Sequence, residues 1–127
     1  MESVKKNKEF IIRYINAISG EEKTTELIEQ FVIDPKLKAH IQFFESSFPK
    51  YEILIDEITA EGDRVVVRAR SKGKHEGEVS GIPATGKEIE MPFVIGYEIK
   101  DQMIVDHWAI GDQLLLMQQL GVMNEPA

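Results

Sequence analysis

One apolar segment carries ionisable groups. Residues 102–110 read QMIVDHWAI. In an extended chain the side chains alternate, so Met103, Val105, His107 and Ala109 share one face. Ile104, Asp106, Trp108 and Ile110 share the other. Both faces are mainly apolar, which predicts a central strand buried on both sides. Each face nevertheless holds one titratable group. Such a group is costly to bury without a partner, or it shifts its pKa. The pattern therefore points to acid/base chemistry around His107, against a satisfied structural histidine as the plain alternative. Trp108 is either core or a flat wall for a ligand. Asp106 either pairs with a cation on a neighbouring strand or joins the site.

Two further histidines stand elsewhere. His40 follows Leu37 by three residues on an apolar helical stripe with Ile41, Phe44 and Phe48. It is a rim histidine bonded to a carbonyl or a donor lining a pocket. His75, beside Glu76 at a strand end, faces either a cavity rim or solvent. The three histidines lie on separate elements without short ligand spacing, so no metal site is expected. Gly81 to Lys87 reads G-x-x-x-x-G-K, but Glu88 replaces the hydroxyl residue of a phosphate loop and Pro83 removes an amide. No helix follows to face an anion, so a loop between strands is expected. Ser80 lacks the strand–turn–helix elbow of a nucleophile, and the absence of Cys excludes thiolate chemistry.

The elements that must position these groups follow from periodicity. Ser3 to Ile18 predicts an amphipathic helix with Val4, Ile11, Ile15 and Ile18 on one stripe and Tyr14 beside it. Thr24 to Gln30 predicts a short second helix. Asp34-Pro35 is a helix start, Asp as N-cap and Pro at the first position, and Pro49 ends that helix. From Tyr51 the period becomes two. Strands are expected from Tyr51, over Arg64–Ser71, over Glu88–Ile99 and over Gln102–Ile110, with turns at Glu61-Gly62-Asp63 and Lys100-Asp101-Gln102. Met91, Phe93, Ile95 and Tyr97 point one way. Pro92, on the opposite face, marks an edge, a bulge or the end of pairing. Asp112 precedes a short Leu-rich helix that stops at Gly121, and residues 122–127 read as a loose tail.

The 127 residues suit one domain, 1–127, with 43% hydrophobic residues and a net charge of -7. That acidity argues against nucleic acid, which needs clustered Lys and Arg. Lys5, Lys6 and Lys8 are expected on the wet face of the first helix. No segment approaches the ~20 apolar residues of a membrane span, and no signal peptide is apparent, so a cytoplasmic protein is expected.

Together these residues resemble a known family. Gly73, His75, Gly77, Gly81-Ile82-Pro83 and Thr85-Gly86-Lys87 come first. His107-Trp108, Asp112 and Gln119-Leu120-Gly121 follow after a strand and a turn. The pattern is similar to the SnoaL-like polyketide (ester) cyclases, a branch of the nuclear-transport-factor-2-like (NTF2-like) superfamily, over about residues 35–121. The turn Asp101-Gln102 departs from the family's usual Asp-Gly, and the segment from Phe31 to Asp34 lacks a His-containing loop.

The resemblance implies an α+β fold, an NTF2-like cone. N-terminal helices would pack on a strongly curved, mostly antiparallel sheet, with a short C-terminal helix and a cavity inside. It implies a cofactor-free, metal-free acid/base reaction, an aldol closure in the characterised cyclases, or an isomerase- or dehydratase-like relative. Asp112 matches the family's general acid/base, though it could be only an N-cap. His107 or His75 would then polarise a carbonyl or tune Asp112. Trp108, Phe93 and Met91 would form apolar wall, with His40 and Tyr14 as further ligand contacts. The expected partners are a small apolar molecule in the cavity and a second copy of the chain, as a homodimer or higher oligomer through the outer sheet face. A non-catalytic ligand-binding or dimeric interaction protein is the alternative.

Overall fold

The computed structural model describes residues 2–121, so the expected tail at 122–127 lies outside the described residues. Helix α1 (Glu2–Ile18) buries Phe10, Ile11, Tyr14, Ile15 and Ile18, the spacing of one helical face. Helix α2 (Thr25–Glu29) is capped by the Thr24 hydroxyl, which accepts from the Leu27 N–H at 3.2 Å. Helix α3 (Pro35–Ser47) begins at the expected Asp-Pro pair, with the Asp34 carboxylate accepting from the Lys36 N–H at 2.9 Å. Among the described residues no helix is long and apolar enough to cross a membrane.

Four antiparallel strands follow in a simple meander. They are β1 (Glu52–Glu61), β2 (Arg64–Lys74), β3 (Glu88–Lys100) and β4 (Met103–Gly111), in the order β1-β2-β3-β4. Irregularities at Ile55/Glu57 and Glu98/Ile99 help to curve this open sheet. Helix α4 (Gln113–Gln119) packs on β3. The Gln119 side chain accepts from the Glu90 N–H at 2.7 Å and donates to the Glu90 carbonyl at 2.9 Å. It thereby pairs β3 beyond the point where β4 has ended. Pro92 sits at that point, its carbonyl accepting from the Asp112 N–H at 3.1 Å.

The expectation that the last strand is central and doubly buried is corrected: β4 is an edge strand. Its inner face meets the helices. Its outer face leaves Trp108 50% and Ile110 70% exposed, because among the described residues no layer covers that side of the sheet. The indole of Trp108 lies over Gly96 of β3, where a Cβ would overlap it. Two apolar faces thus do not mean two faces buried by one chain.

The β3–β4 hairpin turn carries a detectable cost. Asp101 and Gln102 both have positive φ, 51° and 57°. A left-handed conformation costs an L-residue about 1–2 kcal/mol, which glycine escapes. Gln102→Gly is expected to stabilise the chain by about 0.5–1 kcal/mol, offset in part by the looser unfolded state. A thermal midpoint raised by a few degrees checks it; an unchanged or lowered midpoint contradicts it.

Candidate active site

The helices and the concave sheet face enclose a cavity of about 110 Å³. It lies at the seam of two hydrophobic clusters. One joins α1 and α2 to the sheet, and the other joins Phe44, Phe48 and Tyr51 to α4. Tyr14, His40, Met91 and Phe93 line it, as do Tyr51 and Tyr97. His40 is exposed overall yet forms part of the cavity mouth.

His107 belongs to the inner face next to this cavity but does not itself line it. It is paired across the strands with Tyr97, and Ala109, next on the same face, also lines the cavity. The connection between α2 and α3 runs along the start of β4, with the Ile104 N–H donating to the Phe31 carbonyl at 2.8 Å and the Ile33 N–H donating to the Ile104 carbonyl at 2.9 Å. That track carries Asp34 to His107. The imidazole Nδ1 lies 2.6 Å from Asp34 Oδ2, and the Asp34 side chain is 1% exposed. An ionised carboxylate only accepts, so in the neutral imidazole Nδ1 carries the proton and Nε2 has the lone pair. Asp34 therefore does two jobs with two oxygens: Oδ1 caps α3 and Oδ2 holds His107. Only the first was visible in the Asp-Pro signature.

Partial burial of the ring at the cavity mouth, and then the charge of a protonated His107, hold the His40 pKa below its ordinary value of 6.5. The unfolded chain thus binds more protons at His40 than the folded chain in the window between the lowered value and 6.5. Stability from this group is present above 6.5 and is lost as pH falls through the lowered value. Replacing His40 by Gln is expected to flatten the acid side of stability against pH. Parallel urea-midpoint curves for wild type and variant would contradict this.

Besides His107, three expected site residues are absent from the cavity lining. Asp112 is exposed and does not line it, although Gly111 and Gln113 on either side do. Its carboxylate accepts from the Leu115 N–H at 2.9 Å. The unpaired amides of the first turn of α4 draw the nearest carboxylate to themselves, so of the two expected roles for Asp112 it is the N-cap that the geometry shows. Trp108 lies on the outer face, because strand alternation sends it opposite to His107.

His75 is 0% exposed at the root of the β2–β3 loop and does not line the cavity. Its Nδ1 accepts from the Thr85 N–H at 3.1 Å and lies 2.9 Å from the Thr85 hydroxyl. Its ring packs 5.4 Å from that of Phe48. The loop histidine is a fastening, and the G-x-x-x-x-G-K stretch is a strand connection leading into Glu88 of β3.

Asp106 pairs with Lys36 of α3 at 3.3 Å, a helix cation and not a strand one. Asp34, Asp106 and His107 are the grouping among the described residues that could hold a metal, with one ligand atom each within 4.8 Å of the others. Their present partners are each other, Lys36 and the His107 N–H.

Comparison with known proteins agrees with this architecture. The family model described as SnoaL-like polyketide cyclase matches residues 35–120. No curated protein matches the chain. Among solved structures, AclR of Streptomyces galilaeus, a proposed hydroxylase, superposes with a TM-score of 0.83 at 20% identity, covering 98% of this chain and 86% of its own. A proposed SnoaL-like polyketide cyclase of Jannaschia sp. CCS1 gives 0.78 at 20% identity, over 94% of both chains. IdmH of Streptomyces antibioticus, a proposed polyketide cyclase, gives 0.72 at 24% identity, over 91% of this chain and 99% of its own. At these identities the superpositions establish the fold.

Proposed function

Because the chain belongs to the SnoaL-like polyketide cyclase family, we propose that it is a cofactor-free acid/base enzyme acting on a small apolar carbonyl compound. The observation that carries this reading is the buried Asp34 holding His107 beside an apolar cavity. Nε2 of His107 takes a proton from the carbon next to the carbonyl. The C–H electron pair becomes the C=C bond of the enolate, and the carbonyl π pair moves to its oxygen. As the carbonyl re-forms, the enolate carbon attacks a second carbonyl whose oxygen takes the proton (aldol closure), or a different carbon takes the proton (isomerisation), or a β-hydroxyl leaves with the proton as water (dehydration). His40, at the mouth, is the second proton-bearing group. The space, about 110 Å³, compares with the ~150 Å³ of an engineered cavity that binds benzene, so the substrate portion it takes is near one ring in size.

Proton abstraction is measurable without knowing the product. The protein is expected to speed deuterium uptake at the α-carbon of cyclohexanone or pentane-2,4-dione in D2O, followed by proton NMR. A rate equal to buffer with both compounds sinks the acid/base reading. A second reading, a pocket that binds such compounds without converting them, is favoured by the outward turn of Asp112. It predicts thermal stabilisation by the same ketones with no exchange.

The outer sheet face supports a homodimer. Val66, Val94, Trp108 and Ile110 form an apolar strip there. The flanking Arg68 and Arg70 are already paired within the chain, to Glu57 at 2.6 Å and to Asp56 and Glu90 at 3.0 and 3.1 Å. A partner copy would cover this apolar strip, with Arg64 and Glu98 at one end of the face, neither of them ion-paired among the described residues. Ile110→Glu is expected to turn a dimer into monomers by size-exclusion light scattering. A wild-type protein running at the mass of one chain would rule the interface out.

A further inference from the structure

The cavity holds a second kind of titratable group besides His40. Tyr14, Tyr51 and Tyr97 are 2%, 5% and 4% exposed, and all three line it. Buried phenols ordinarily find a hydrogen-bond partner. Here none of the three hydroxyls has one among the described residues, and burial is the leading influence on each. The one side-chain polar atom sealed without a partner among the described residues is Nε2 of His75, so the phenol oxygens still touch open space. The open space all three share is the cavity they line. Three phenol donors thus line one hollow, which Ser71, His40 and Gln113 also border. The rings of Tyr14 and Tyr97 stand edge-on at 5.9 Å, and Tyr97 is the cross-strand neighbour of His107.

We propose that Tyr14 and Tyr97, with Tyr51 beside them, form an oxyanion site that receives the carbonyl oxygen of the substrate and holds it as the enolate. This rests on the acid/base reading of His107 for its reaction, but not for its binding. The proton leaves carbon for Nε2 of His107, and the carbonyl π pair arrives on the oxygen facing the phenols. The transition state then carries a growing imidazolium and a growing oxyanion side by side, and fixed donors meet the charge where it develops. Burial raises the pKa of all three phenols above the ordinary value of 10.0, so they remain donors throughout the neutral range. A desolvated oxyanion gains most from such donors, because hydrogen bonds to charged groups are the stronger kind. The site therefore selects ligands that present one anionic or enolisable oxygen on a small ring.

The probe is 4-nitrophenol, buffered below its free pKa and followed by absorbance of the phenolate. The wild-type protein is expected to bind it as the yellow phenolate, and Tyr14→Phe and Tyr97→Phe each to weaken that binding about ten-fold or more. Those variants should also slow α-proton exchange, while His107→Asn keeps phenolate binding and loses exchange. Binding of the dye in its neutral form, or tyrosine variants equal to wild type, overturns the oxyanion site and leaves the role of His107 untouched. Tyrosine-dependent phenolate binding in a protein that never exchanges α-protons upholds the site and removes the acid/base reading instead.

Discussion

Asp34→Asn is expected to leave the fold in place and to slow α-proton exchange by about 10²–10⁴-fold, the usual worth of a positioned general base. Asn is as good an N-cap as Asp, so α3 keeps its start and the thermal midpoint moves little. The loss is in the proton inventory. An amide can offer its N–H₂ to Nδ1 of His107, which moves the ring proton to Nε2 and removes the lone pair that abstracts. His107→Asn should show a loss of the same size, and the double variant should lose no more than either alone, since both remove one device. Asp112→Asn is the contrast. It keeps the cap of α4 and touches nothing in the cavity, so exchange should persist. Exchange abolished by Asp112→Asn and intact in Asp34→Asn would transfer the acid/base role to the position that the family resemblance marks.

Gly77→Ala is expected to destabilise the chain by about 3 kcal/mol, near the upper range for overpacking. A Cβ at this position would overlap the carbonyl oxygen of Ser46, a backbone atom that has no rotamer to retreat into. The approach is close because the loop is docked on the end of α3. The Ser47 carbonyl accepts from the Glu76 and Gly77 N–H groups at 3.0 and 3.1 Å, and the Ser47 hydroxyl donates to the Glu78 carbonyl at 2.9 Å. Undocking would expose Phe48, Val79 and Leu120, which are buried beneath α4 and the loop. A fall of several degrees in the thermal midpoint is the result that supports this. A loss below about 1 kcal/mol would mean that the loop shifts freely and is not a fastening.

The residues behind the family resemblance mostly hold the fold together. His75 and Thr85 tie the loop root, Gln119 pairs the free stretch of β3, and the Lys87 ammonium donates to the Leu120 carbonyl at 3.3 Å at the end of α4. Such contacts follow from local order and short connections, so a linear pattern records them well. It therefore reports architecture more readily than reaction. The inner face of β3 was legible from alternation alone; that Met91 and Phe93 on it would wall a cavity was implied by the family resemblance, and both line it. Tyr97 stands on that same face and read as core, because alternation tells inward from outward and not packed from open.

By itself the chain order determined the helices first, the antiparallel meander next and the terminal helix last, since caps, prolines and periods are local properties. It also marked His107 as a polar residue among apolar ones. Only the tertiary structure decided what that histidine meets. Asp34 lies 73 positions away along the chain and is delivered by a bridge to the edge of β4. Which of two apolar faces is roofed was likewise settled by where the helices pack. Contacts of that separation depend on how elements dock, and docking leaves no period in the sequence to read.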